Sequence, residues 1–347
     1  MKTSIIAAIL MASAPAAVAA SPYISRVYEF CPAPGQFVHS VPTLTDEMTH
    51  DEVIAEVERQ ICGNATDGAT PGMISLGAFG GYVVFEFDHP VVNVDGQADF
   101  KIYGNAFKSD AAADGGSAEP GIVMVSADTN GNGLPDDEWY ELQGSEHANP
   151  ATVRGFEITY RRPANDTEDI AWTSGSSEFP SGTVPRNQFH AQSYWPGWYA
   201  GETLTFKGTR LPDNAYDMSG NGSYWVLRFL EWGYADNQPN DIDAGFDIGN
   251  AVDADGNKVA LAQIDFVKVY SAMNQVCGWL GETSTEICGG EDLHPDAVPS
   301  GIASVTTCPD AAAVRYFDLQ GRPVAAPSAP GIYIRVSPQR TDKVILK

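Results

Sequence analysis

Positive charge is what this sequence has least of. Its 347 residues carry 20 lysines and arginines against 45 aspartates and glutamates, a formal net charge of −25. Such an imbalance argues against nucleic acid or an anionic membrane surface as a partner, because both bind through phosphates that basic side chains must neutralise. It suits a soluble protein that gathers cations. Long apolar runs are also missing. Beyond residue 20 no stretch approaches the roughly 20 apolar residues that span a bilayer, so no transmembrane segment is expected. Histidine is scarce, and its six copies show neither His-Glu-x-x-His nor any other close metal-ligating spacing. There is no Gly-x-Ser-x-Gly elbow, Walker loop or dinucleotide fingerprint. Catalysis therefore has no signature here, although the paired carboxylates of a glycosidase could stand anywhere among 45 acids.

What is present begins with an address. Lys2 is followed by the apolar run Ile5–Met11 and by Ala17-Val18-Ala19, small residues that suit signal-peptide cleavage. Residues 1–20 read as a signal peptide, and the mature chain as secreted or held at the outer cell surface. Export permits disulfides. Of the five cysteines, Cys277 and Cys288 bracket a short loop and Cys31 and Cys62 bracket the N-terminal segment, leaving Cys308 over. Both pairings are expected, while sequence alone does not fix connectivity.

The body reads as mainly β. Ser21 to Thr45, rich in proline and glycine, suits an extended strand and loop. Thr49 and Glu52 form a capping box ahead of Val53, Ile54, Val57 and Ile61, which share one face at helical spacing. One short helix is expected there, with a turn-rich connector over Asn64–Gly72. Strands are expected at Tyr82–Phe87, Asp99–Tyr103, Gly121–Ser126, Trp139–Leu142, Phe156–Arg161, Thr203–Lys207, Tyr224–Phe229 and Ile264–Tyr270. Asp253–Asn257 reads as a hairpin turn. Many short strands between Gly, Pro and Asn turns point to a jelly-roll β-sandwich over residues 21–295. A linker over 296–312 and a small C-terminal β-module over 313–347 complete the expected plan.

Two stretches carry candidate chemistry. In Asp128-Thr-Asn-Gly-Asn-Gly-Leu-Pro-Asp-Asp-Glu-Trp139, Asp128, Asn130, Asn132 and Asp136 occupy positions one, three, five and nine of a calcium loop. Gly133 stands at position six, and the Leu134 carbonyl at position seven supplies a further oxygen. Position twelve is Trp139 where an EF-hand has a bidentate glutamate, so Asp137 or Glu138 would have to compensate. The loop joins two strands and not two helices. Ca²⁺ is the expected ion, and a plain polar turn is the alternative. The second stretch, Tyr194-Trp-Pro-Gly-Trp-Tyr199, places Tyr194, Trp195, Trp198 and Tyr199 around a Pro-Gly turn. Exposed, such rings stack on sugar faces with their polar edges wet. Buried, Trp195 and Trp198 would plug one end of the sandwich.

The tail resembles the C-terminal sorting domain of proteins exported by the type IX secretion system of Gram-negative bacteria. The matching residues are Tyr316-Phe-Asp-Leu-Gln-Gly-Arg322, Gly331-Ile-Tyr-Ile334 and Lys343-Val-Ile-Leu-Lys347, with a hydrophilic insert at Ser337–Asp342. The resemblance implies secretion machinery as a partner of the tail. The body resembles a poorly characterised group of bacterial cell-surface proteins with a jelly-roll fold. That likeness rests on Leu76–Tyr82, Asp99–Phe107, Glu119–Val125, the acidic loop and Ile264–Val269, and it implies no reaction. The expectation is a calcium-stabilised surface protein that binds an extracellular glycan or other small ligand. A polysaccharide hydrolase and an accessory protein of outer-membrane nutrient uptake, capturing for example a cobalamin, are the alternatives.

Overall fold

A computed structural model describes residues 20–63, 72–298, 315–317, 323–324, 331–337 and 340–346. The expected signal segment, all but the last residue of the Asn64–Gly72 connector, most of the 296–312 linker and Cys308 lie outside the described residues. The chain divides into two compact units, Met1–Pro299 and Ser300–Lys347. The first is mainly β, with one α-helix among the described residues.

That helix runs His50–Ile61 and starts where the capping box puts it. The Glu52 N–H donates to Thr49 Oγ1 at 3.3 Å, and the Thr49 N–H donates back to Glu52 Oε2 at 2.8 Å. Asp51 and Glu52 place negative charge at the positive end of the helix dipole. Val53, Val57 and Ile61, four residues apart, form its buried face.

The central sheet has six antiparallel strands in the order Ile24–Cys31, Tyr82–Val92, Gln263–Ser271, Gly121–Ser126, Trp139–Leu142 and Ala251–Val252. Phe85 pairs with Val27 on one side and Val267 on the other, which fixes the register at the middle of the sheet. Val83, Phe85, Val123, Val125, Val267 and Val269 bury their side chains fully. They share one core with the helix face and with Phe100, Ile102 and Phe246 of the three-stranded sheet Gly245–Phe246, Phe100–Tyr103 and Gly289–Asp292. Strands that alternate apolar and polar residues can bury one face in this way. A second core lies on the four-stranded sheet Ser181–Val184, Ile170–Ser174, Val153–Arg161 and Thr203–Arg210. There Phe156, Ile158, Tyr160 and Phe206 pack with Phe79, Tyr194 and Trp195.

Neither expected disulfide forms, since Cys31, Cys62 and Cys277 are free thiols. The residues of each pair are drawn into different apolar clusters. Cys277 packs with Ala118 and Leu227 whereas Cys288 packs with Tyr103, and Cys31 lies against the second core whereas Cys62 lies against the first. Burial is the main cause that pushes the Cys62 and Cys277 thiols up to about 12 and the Cys31 thiol to about 11.

The second unit holds a four-stranded antiparallel sheet in the order Pro323–Val324, Arg315–Phe317, Gly331–Ser337 and Arg340–Leu346. Of the hydrophilic insert, Ser337 pairs with Arg340, and Thr341 and Asp342 pair with Val336 and Arg335, so its described residues extend the last hairpin.

Candidate cation and ligand sites

The acidic loop hangs from paired strands, with Ser126 opposite Trp139 where the chain leaves and rejoins the central sheet. Asp128 organises it. Its Oδ1 accepts the N–H groups of Gly131 and Asn132 at 2.7 and 3.1 Å, and its Oδ2 accepts that of Gly133 at 2.8 Å. Gly131 and Gly133 turn the chain through positive φ of 72° and 70°, the conformation a Cβ resists. Asn130 and Asn132 give their amide oxygens to loop N–H groups and donate their amide nitrogens to Asp136. These donors hold the Asp136 carboxyl below its ordinary range. The Leu134 carbonyl accepts the Asp136 N–H at 2.9 Å, and the Leu134 side chain is exposed.

Two features bear on whether the residues fit a hard cation. Asp137 takes the Thr129 hydroxyl on Oδ1 and leaves Oδ2 buried without a donor. Asp265, from the Gln263–Ser271 strand, reaches the loop and accepts the Asp128 N–H at 2.7 Å. Burial lifts its carboxyl above the ordinary range, the Asp128 N–H opposes this, and the charges of Asp128 and Asp137 add to it. Asp128, Asp137 and Asp265 thus bring carboxylate charge toward the base of the loop, yet among the described residues they are not a group whose ligand atoms converge within 4.8 Å of one another. Asp265 was not foreseen; the only trace of it in sequence is a polar residue at an alternating position in Gln263-Ile-Asp-Phe266.

The aromatic turn is split by burial. Tyr194 and Trp195 are 1% and 2% exposed and belong to the second core. There the Tyr194 hydroxyl accepts the Asn187 N–H at 2.9 Å, and a flat ligand cannot stack on either ring. Trp198 is half-buried, and Tyr199 is 41% exposed at the end of a turn closed by its N–H to Pro196 O at 3.0 Å.

Trp198 and Tyr199 line an open cleft of about 440 Å³ with Tyr28, Tyr82, Glu29 and His50. The Tyr82 hydroxyl donates to Glu29 Oε2 at 2.9 Å, and Lys268 Nζ lies 3.8 Å from the Tyr82 ring centre. Tyr28 connects cleft and loop, with its hydroxyl 2.9 Å from both Gly133 O and Glu86 Oε2. Burial first, then the bond to Glu86, pushes the Tyr28 hydroxyl up to about 12, so it remains a donor at neutral pH. Tyr28 and Tyr82 were missed because they sit on strands distant in sequence from the turn.

A second cleft, of about 450 Å³, is lined by the charged Arg154, Lys207 and Asp253 together with His147 and Glu141. Glu141 Oε2 accepts from Thr209 Oγ1 at 2.9 Å and Tyr270 Oη at 3.3 Å, and burial raises its carboxyl above the ordinary range.

No protein-family model matches this chain, and no curated protein is detectably similar to it.

Proposed function

We propose that this is an exported surface protein on a jelly-roll scaffold, that Ca²⁺ fills the acidic loop, and that the aromatic cleft binds a glycan. The observation that carries the reading is the cleft itself, where the rings of Tyr28, Tyr82, Trp198 and Tyr199 and the Glu29 carboxylate line one open hollow. Rings present flat apolar faces to the C–H side of a sugar, while Glu29 and the tyrosine hydroxyls serve its hydroxyl groups. The shared core of the six- and three-stranded antiparallel sheets supports the sandwich reading. The C-terminal sheet, by its resemblance to a sorting domain, is the part that secretion machinery would read. Truncation before Val314 should then leave the protein in the periplasm, and normal surface display of the truncated chain would count against that role.

Tyr199→Ala is the cleanest test of the cleft, because the ring is exposed and its removal leaves the cores intact. On a glycan array the variant should lose about ten-fold in affinity for any glycan the parent binds, with an unchanged melt. Equal binding by the variant would remove the cleft from the reading.

Hydrolysis is a second reading, favoured by Glu141, a buried carboxyl held protonated more readily than usual in a cleft with charged lining residues. Polysaccharide turnover abolished by Glu141→Gln would establish it, and absence of turnover in the parent would dismiss it.

A further inference from the structure

Three carboxylates meet far from the acidic loop. Glu119 precedes the Gly121–Ser126 strand, Asp236 follows the Ala235 bridge to Gly121, and Glu286 lies on the short Glu286–Ile287 strand. One oxygen from each lies within 4.8 Å of the others. Asp236 and Glu286 are 3% and 2% exposed, and Glu119 keeps a partly open edge.

The protein backbone holds this group in place. Asp236 Oδ1 accepts the N–H groups of Asn105 and Ala106, both at 2.8 Å, and its Oδ2 accepts that of Glu286 at 2.9 Å. Glu119 Oε1 accepts the Ser284 N–H at 3.0 Å, and Glu286 Oε1 accepts the Ser284 hydroxyl at 2.9 Å. Gly104 lets the chain pass, since a Cβ there would lie 2.4 Å from Asp236 Oδ1. The second oxygen of Glu286 is left over. Oε2 is buried and makes no hydrogen bond of ordinary geometry, although the Glu119 carboxylate and the Ser75 hydroxyl both stand near this side chain. None of the ion pairs among the described residues supplies a lysine or arginine to any of the three.

We propose that Glu119, Asp236 and Glu286 form a buried site for a hard divalent cation of the Ca²⁺ class, separate from the acidic loop. The donors engage Oε1 of Glu119 and Glu286, and on Asp236 they take Oδ1 twice and Oδ2 once, so each carboxylate keeps a lone pair for a shared ion. Three oxygens mutually within 4.8 Å can share a point at most about 2.8 Å from each, so a contraction of a few tenths of an ångström at most brings them to the Ca–O distance of about 2.3–2.6 Å. An all-oxygen set selects Ca²⁺, Mg²⁺ or Mn²⁺ over softer metals, and three anionic ligands favour a divalent ion. Three buried like charges without a counter-charge repel one another and lose their hydration, so a cation resolves both costs at once. The ion would tie the Gly104–Ala106 segment, the Asp236 turn and the Ser284–Glu286 segment into one unit.

The test uses the full chain, prepared from calcium-containing medium and freed of loosely held metal by a brief exposure to EDTA. Elemental analysis should find about one calcium per chain in the parent and in Asp128→Ala, whose loop is impaired, and about a tenth of that or less in Glu286→Gln. After prolonged chelation, Asp128→Ala should still show calorimetric heat on addition of CaCl₂. Should Glu286→Gln fail to fold, Glu119→Gln at the open edge replaces it. No retained calcium in the parent together with no calcium heat in Asp128→Ala would overturn the site and leave a proton-sharing carboxyl cluster. Calcium retained by both triad variants would overturn it equally. Loss of calcium heat from the loop alone would bear on the proposed function and not on this site.

Discussion

The acidic loop and the buried triad set similar chemistry in opposite surroundings. In the loop, the carboxylates are half-buried or exposed, and that of Asp128 is tied down by N–H groups three to five residues away. In the triad, carboxylates are buried and tied down by N–H groups from remote parts of the chain. Water screens the first set, so it can persist as a turn without an ion. The second set has no such recourse, and its geometry is fixed by the fold whether or not an ion is present. A cation should therefore order the loop locally, whereas in the triad it should hold distant segments together.

The largest expected effect follows from removing the triad's anchor. Asp236→Ala leaves three N–H donors without an acceptor, one buried and two part-buried, at a cost of about 3–5 kcal/mol in urea denaturation. If it proves no worse than Asp128→Ala, burial is not what separates the two sites. Next comes Asp128→Ala itself. In chelator its freed N–H groups meet water, so the cost should be at most about 1 kcal/mol. With free Ca²⁺ a hundredfold above the dissociation constant, the parent gains about 2.7 kcal/mol that the variant lacks. Thermal melts in EDTA and in CaCl₂ measure both, and an equal loss in the two buffers would reduce the loop to a polar turn.

The smallest effect concerns a place where a side chain supplies the positive charge. His89 lies between Asp88, at 2.6 Å from Nδ1, and the buried Asp292, at 2.7 Å from Nε2. Burial lowers its pKa, but the two carboxylates outweigh burial and leave it above 6.5. Stability from this contact is thus fully present below about pH 6.5 and lost as pH rises through the elevated value. His89→Gln should flatten the pH dependence of the melt above pH 6.5 by under about 1 kcal/mol. An NMR titration of His89 with an ordinary midpoint would refute the assignment.

Local features were legible in the sequence. The helix followed from its capping box and four-residue spacing, and the strands Gly121–Ser126 and Trp139–Leu142 from short apolar and aromatic runs on either side of a Gly-rich loop. Candidate ligands within one twelve-residue loop could be read from spacing alone. Asp265 could not, because it joins the loop only through sheet pairing. The triad was invisible for the same reason, its members being three acids among 45 with no spacing to mark them. The aromatic turn was visible as a cluster, yet its division into buried Tyr194 and Trp195 and cleft-lining Trp198 and Tyr199 depends on where the second sheet lies. Cysteine spacing misled, since proximity along the chain did not bring either pair into one apolar cluster.

One hydroxyl has a consequence for measurement. Tyr28 touches the loop at Gly133 O and faces the cleft with its ring, so loop and cleft share a side chain. Any free energy by which an ion in the loop steadies that ring for a ligand must be returned in full, the ligand tightening the ion by the same factor. Calcium titrations with and without saturating glycan would then shift by equal ratios in both directions, and Tyr28→Phe, which keeps the ring and deletes the tether, would make the two equilibria independent.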